Sequence, residues 1–300
     1  MCRRYRADAS RRARYDPHCH RRPRSPLQRN RIRMTLGPLE LSVIAGLGLL
    51  AGMLGGMLGI GGSVVMIPGL VILFHSEDPE SQHLYQAAAM AVNVAVAAPA
   101  ALRHARRGTV RRDLFMILMP AALIAIVIGV LLSDHIPATA LRRLFAVFLL
   151  YIVVMELLKI FRRLPDVPPD GIRVTVPRAG AVGGAMGLVA GLLGVGGGVL
   201  AVPLAQRLCR LPLRHAIGAS SAAMCITAIA GASVKITTLP QHGYDRLTAI
   251  TLAMALAPTA ILGAAIGASL THRLPLTWIR AVLVALLLLA AWRMSGLPLW

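Results

Sequence analysis

Seven glycines, one serine and two prolines carry the chemistry open to this sequence. Gly59, Gly61, Gly62, Ser63 and Pro68 close the stretch GLLAGMLGGMLGIGGSVVMIP, residues 48–68, and Gly194, Gly196, Gly197, Gly198 and Pro203 close GGAMGLVAGLLGVGGGVLAVP, residues 183–203. Dense glycine followed by proline interrupts a helix, because glycine loses the most backbone entropy on ordering and proline lacks a donor. At membrane depth such an interruption frees N–H groups and a helix N-terminus to face an anion. The competing reading for Gly52, Gly56, Gly187 and Gly191 is close helix packing, since they sit at small-xxx-small spacing. A phosphate-binding turn does not fit: the flanks are helical in spacing, and no acid lies between Asp170 and Asp245.

The two stretches match at an offset of 135, which superposes Gly52, Gly56, Gly59, Gly61, Gly62 and Pro68 on Gly187, Gly191, Gly194, Gly196, Gly197 and Pro203. Even among 28 Gly and 19 Pro, that coincidence reads as an internal duplication. A second register, at an offset of 138, pairs Pro120, Gly129, Leu132, Pro137 and Arg142 with Pro258, Gly267, Leu270, Pro275 and Arg280.

Other polar residues inside apolar segments complete the candidate site. Asn93 either bonds across helices or lines a pathway. Ser220 and Ser221 are hydroxyl donors for an oxyanion, or bond back to their own helix. Arg142, Arg280 and Lys235 are candidate anion contacts, against the alternative that their long stems snorkel to the interface. Glu156 and Lys159 are spaced for an ion pair on one helix face. Asp113, Asp134 and Asp245 fall in loops or at segment ends, and the apolar region shows no cluster of acids, histidines and cysteines. Neither an enzyme nor a metal site is therefore expected, and no cofactor is implied. The tail tripeptide His18, Cys19, His20 lacks further ligands for zinc, and the four cysteines show no paired spacing.

The elements that must position these residues are membrane helices. Hydrophobic residues make up 56% of the 300 and charged residues 15%, with mean hydropathy +0.67, the composition of an all-α polytopic membrane protein. Apolar runs predict eight crossings near 39–74 (broken), 85–102, 114–133, 138–160, 178–206, 214–238, 247–271 and 275–296, four in each homologous half. The first run is too long for one straight span: as a helix it would reach roughly 54 Å, against about 30 Å of hydrocarbon. The halves divide as 34–163 and 178–300, joined by a proline-rich cytoplasmic linker, 164–177.

Residues 1–33, with twelve arginines against two aspartates, form a basic leader without the apolar core of a signal peptide. It reads as an extension upstream of a start at Met34. Basic residues in short loops put the leader, residues 103–112 and the linker inside, and residues 75–83 and 133–137 outside. In the second half Arg207, Arg210 and Arg214 sit badly with eight crossings and both ends inside, the topology expected here. They would fit an inverted second half in which Gly194–Pro203 re-enters. The strong basic balance comes from leader and loops and does not indicate nucleic-acid binding.

LGIGGSVVMIP and LGVGGGVLAVP, each opening a half of hydrophobic segments, resemble the sulfite exporter TauE/SafE family over roughly residues 36–296. The resemblance implies a multi-pass protein of the bacterial inner membrane exporting sulfite or a related small organosulfur anion. Its expected partners are that anion and the lipid bilayer. A non-transporting membrane scaffold and a passive anion channel of the same architecture are the alternatives, and the residues leave the oligomeric state open.

Overall fold

The computed structural model describes residues 37–58, 61–74, 78–106, 108, 110–161, 172–270 and 276–295. The leader, Gly59, Pro275 and most of the linker lie outside the described residues. Ten helices account for nearly all of the rest: α1 (Pro38–Leu58), α2 (Ser63–Leu73), α3 (Ser81–Arg106), α4 (Arg112–His135), α5 (Ala138–Phe161), α6 (Val176–Leu193), α7 (Gly198–Leu208), α8 (Leu213–Thr238), α9 (Arg246–Leu270) and α10 (Leu276–Ser295). A 3₁₀ turn, Leu239–His242, links α8 to α9. No strand occurs among the described residues. Among the described residues six helices are long and apolar enough to cross a membrane: α1, α4, α5, α6, α8 and α9. Large apolar side chains such as Met116, Ile124, Val147, Met254 and Leu289 point outward, as a lipid-facing surface requires.

Both glycine-rich stretches break the helix, between α1 and α2 and between α6 and α7. After its break, α2 folds back along α1, setting Gly69 against Leu47 and Gly62 against Ala51. It ends where α3 begins, with the Phe74 ring stacked on Tyr85 at 6.2 Å. Likewise α7 returns to the end where α6 begins, and the Arg173 N–H donates to the Cys209 carbonyl at 2.9 Å. Each broken pair therefore enters and leaves at one end of the bundle.

Backbone-to-backbone packing fixes the directions. Down α1, Gly48, Gly52 and Gly56 meet Leu256, Ala260 and Ala264 in ascending order, so α1 runs parallel to α9. Down α6, Gly183, Gly187 and Gly191 meet Leu118, Ala122 and Ile126, so α6 runs parallel to α4. The arrangement is reciprocal: α1 lies on α9 and α6 lies on α4. Small residues are required because lipid tails give helices no hydrophobic reason to associate, leaving close van der Waals contact to hold them. The packing reading of Gly52, Gly56, Gly187 and Gly191 is the one the structure adopts.

The expected eight crossings with both ends on one side do not describe this path. That topology placed residues 75–83 and 241–246 on opposite sides. Instead Tyr244 Oη donates to Asp78 Oδ2 at 2.8 Å and His242 Nδ1 lies 3.2 Å from Glu80 Oε2, so both connections share one end. Burial and the adjacent Asp78 carboxylate raise the Tyr244 pKa, keeping its hydroxyl protonated as the donor. Hydropathy misreads such a fold because a returning hairpin is as apolar as a crossing.

A Cβ at Gly52 would lie 2.1 Å from the Ala260 carbonyl oxygen and one at Gly187 2.2 Å from that of Ala122, whereas nothing lies within 4 Å of one at Gly46 or Gly184. Gly52→Ala and Gly187→Ala are expected to cost about 1–3 kcal/mol each by overpacking. Gly46→Ala and Gly184→Ala are expected to leave stability unchanged or raised. Thermal unfolding in detergent separates the pairs, and equal midpoints for all four would refute the packing assignment.

Candidate functional site

The two breaks meet inside the bundle, beside the middle of α3 and α8. Gly61 turns the chain into α2 with φ +80, in the left-handed region where a side chain is strained. A Cβ there would come 3.3 Å from Met224 Sδ and 3.6 Å from Asn93 Oδ1. At the second break, a Cβ on Gly196 would come 2.5 Å from Met224 Sδ and 3.2 Å from Asn93 Nδ2. The same two side chains, one on α3 and one on α8, thus border both breaks.

Ser63, the first residue of α2, ties them together. Its buried Oγ accepts from Asn93 Nδ2 at 2.9 Å and from the Gly196 N–H at 3.2 Å. With two bonds accepted, the Ser63 hydroxyl retains its own proton as a donor. Turning the Asn93 amide over exchanges the roles, with Ser63 donating to Oδ1 and the NH₂ group left as the donor. Either way one donor remains at the meeting point. Asn93 Oδ1 is buried with no hydrogen-bond partner.

Around this centre the other expected residues fall as follows. Gly62 and Gly197 are the N-caps of α2 and α7, and neither helix has a side-chain cap hydrogen bond. Gly198 opens α7, while Pro68 and Pro203 sit inside the short helices after the breaks. Gly194 ends α6 in the left-handed conformation, φ 74, with its N–H on Ala190 O. There a Cβ would strike Gln86 Cγ at 2.8 Å. Gln86, one face of α3 above Asn93, donates to Leu192 O at 3.3 Å. Ser220 and Ser221 are buried on α8, four and three residues before Met224 and so on the same side of that helix.

The three candidate cations lie elsewhere. Arg142 bonds the Asp78 carbonyl and Ser81 Oγ, both at 2.8 Å, fastening α5 to the start of α3. At the opposite end Arg280 donates to Lys159 O at 3.2 Å and sets Nε 3.4 Å from Glu156 Oε2. The expected Glu156–Lys159 pair forms at 2.5 Å, so Arg280 joins an existing ion pair.

Lys235 overturns the snorkelling reading. Its side chain is fully buried, and Nζ donates to Asp134 Oδ1 at 2.6 Å, Ser133 Oγ at 2.8 Å and His83 Nδ1 at 2.8 Å. The Asp134 side chain, 4% exposed, ends α4 facing inward. A buried ionisable cluster therefore exists where the sequence showed only scattered residues: Glu80, His83, Asp134, Lys235 and His242 come from segments up to 162 positions apart. Local spacing held no signal for it, although Lys235 within an apolar helix called for a buried partner.

Apolar helices with two broken pairs whose interruptions meet inside the bundle are the arrangement that membrane transporters use at their binding sites. The chain belongs to the sulfite exporter TauE/SafE family, whose model matches residues 44–294. It is 27% identical over 286 residues to the probable membrane transporter protein MamO of Magnetospirillum gryphiswaldense, covering 83% of this chain and 44% of that protein. It is also 27% identical over 257 residues to a probable membrane transporter protein of Haemophilus influenzae, covering 81% of this chain and 94% of the relative. The chain spans less than half the length of the MamO proteins it matches. No solved structure matches it.

Removing Lys235 alone takes the ammonium partner, 2.6 Å away, from the buried Asp134 carboxylate. Lys235→Met is expected to destabilise the fold by about 3–5 kcal/mol, and Lys235→Met with Asp134→Leu to recover most of that loss. Thermal midpoints of both variants in detergent provide the check; an unaltered midpoint for the single variant would contradict the buried pair.

Proposed function

We propose that the protein is a secondary transporter that exports a small anion, sulfite or a related organosulfur anion, across the bacterial inner membrane. The observation that carries this reading is the meeting of the two glycine breaks on Ser63, Asn93 and Gly196, with an unused polar donor between them. Backbone N–H groups and helix N-termini converging there would replace an anion's lost hydration. In this reading Gly61, Gly62, Ser63, Gly194, Gly196, Gly197 and Gly198 line the site, Asn93, Ser220 and Ser221 complete it, Pro68 and Pro203 hold the helices that follow the breaks, and Gly59, outside the described residues, is assigned to it from the sequence alone.

The two halves, 34–163 and 178–300, act as inverted repeats, each a re-entrant pair followed by three crossings. Reciprocal packing of α1 on α9 and α6 on α4 supports that division. Under the rule that basic loops stay inside, residues 103–112, the 159–178 region and residues 207–214 all face the cytoplasm. This sets the start of α1 on the outer side, against the expectation drawn from the basic leader. Arg207, Arg210 and Arg214, discordant under eight crossings, then agree with the rest. Rocking of one half against the other would expose the central site alternately. A negative-inside potential drives an anion outward by about 2.3 kcal/mol per charge per 100 mV.

The test is sulfite efflux from preloaded proteoliposomes under an imposed potential. Native protein is expected to show saturable efflux, and Gly61→Leu and Gly196→Leu to abolish it by filling the space before Met224 and Asn93. Ser63→Ala, which removes a hydroxyl with little change in shape, is expected to lower efflux about tenfold, the effect of losing one hydrogen bond worth about 1.4 kcal/mol. Non-saturating flux would favour the channel. If neither sulfite, sulfonates nor thiosulfate moved, the scaffold would be the better reading.

A further inference from the structure

The buried cluster at the end where α3 and α9 begin holds a place for a single proton. His242 sets Nδ1 3.2 Å from Glu80 Oε2 and Nε2 3.2 Å from Asp134 Oδ1. A neutral imidazole has one N–H and one lone pair, so between two carboxylates its lone pair must face an anion. Only the imidazolium donates at both positions.

The neighbours reinforce that choice. All three protons of the Lys235 ammonium are engaged, one of them on His83 Nδ1, so that nitrogen carries the lone pair and neutral His83 carries its proton on Nε2. Lys235 thereby fixes the tautomer of His83, whose ring stacks on His242 at 3.6 Å and 16°. His83 Nε2 and Asp134 Oδ2 are both buried with no hydrogen-bond partner, Nε2 lying 3.9 Å from Glu80 Oε2. Two carboxylates face one ammonium, so one added proton balances the cluster. The remaining groups around it are occupied: Asp78 accepts from Tyr244, and Arg142 bonds the Asp78 carbonyl and Ser81.

Side-chain exposure falls stepwise inward, from 32% at Glu80 to 10% at His242, 1% at His83 and 0% at Lys235. A proton can therefore arrive from solvent through Glu80. A metal ion suits the site less well, although Glu80, His83 and His242 bring ligand atoms within 4.8 Å of one another. Stacked rings direct their in-plane lone pairs side by side rather than at one point, and the Lys235 ammonium lies against His83.

Two helices join this cluster to the glycine breaks. On α3, His83, Gln86 and Asn93 follow one another along one face, about 15 Å from first to last at 1.5 Å per residue. On α8, Lys235 lies three turns beyond Met224, on the same side. Helices α3 and α8 pack directly on each other.

We propose that His242 is a proton-binding centre, with Glu80 and Asp134 as its two acceptors and His83 and Lys235 holding them in place, and that its protonation is coupled to anion movement. This rests on the transport reading and names the coupling ion for it. The full chain is reconstituted with sulfite inside, the potential is clamped, and a pH gradient is imposed; ¹⁵N-histidine NMR of the same preparation reports protonation directly. Native flux is expected to change several-fold with the gradient, and a histidine signal protonated at both nitrogens is expected to vanish in His242→Gln together with that response. Arg111→Gln, at the far end of α4, is expected to keep both. Where His242→Gln fails to fold, Glu80→Gln serves instead, and the doubly protonated histidine signal and the flux response are expected to weaken together because one acceptor is lost.

Sulfite flux indifferent to the pH gradient would overturn the coupling and leave the transport reading standing. If no anion moves, the transport reading falls and the coupling with it, while the NMR signal still decides whether His242 holds the proton. One zinc ion bound per chain and lost in His242→Gln would overturn the proton assignment itself.

Discussion

A polypeptide in hydrocarbon must satisfy its backbone polar groups from within, since there is no water to bond them. That constraint governs where this chain is allowed to stop being helical. Both interruptions lie against protein: Gly61 and Gly196 abut Asn93 and Met224, and Gly194 abuts Gln86. The polar side chains of α3 then take up what the breaks release, with Gln86 on the Leu192 carbonyl and Asn93 on Ser63, which in turn accepts from Gly196. A break needs a polar helix beside it, and a polar helix inside a bundle needs apolar neighbours on its other sides. The outer helices, rich in outward-facing leucine, isoleucine and valine, supply the latter.

The same requirement explains the glycine and alanine faces. For α3 and α8 to be enclosed, α1 and α6 must approach α9 and α4 to backbone contact, and Gly52 and Gly187 show how little room is left. Closeness of this kind resists distortion, because a methyl group has nowhere to go. It makes each broken pair a firm body whose inner tip holds its residues, Ser63 among them, in a fixed position.

Much of this was legible in the residues. The duplicated glycine stretches located both breaks, and Ser63 and Asn93 were recognisable as polar residues that an apolar surrounding would not tolerate unpaired. The direction of the chain was not legible, because a hairpin that re-enters and a helix that crosses have the same hydropathy; only the arginines at 207–214 registered the difference. Nor could the partners of Lys235 be read. Asp134 lies 101 positions away and is one acid among several near segment ends, and nothing local distinguishes it from a solvated residue. The physics said only that a lysine inside an apolar helix requires a counter-charge.

Long-range ion pairing of that kind also ties the ends of the helices to their middles. Lys235 and Met224 share one face of α8, and His83 and Asn93 share one face of α3. A change in charge at the cluster alters what Lys235 must neutralise, and the helices that would feel it are the two that border both glycine breaks. Rigid small-residue packing on the outer flanks leaves α3 and α8 as the elements with polar contacts at both levels. Three buried polar atoms without hydrogen-bond partners, His83 Nε2, Gln86 Oε1 and Asn93 Oδ1, fall on that one stripe of α3. Incomplete satisfaction is costly in a dry interior, and along this stripe a second arrangement of the side chains would have something to gain.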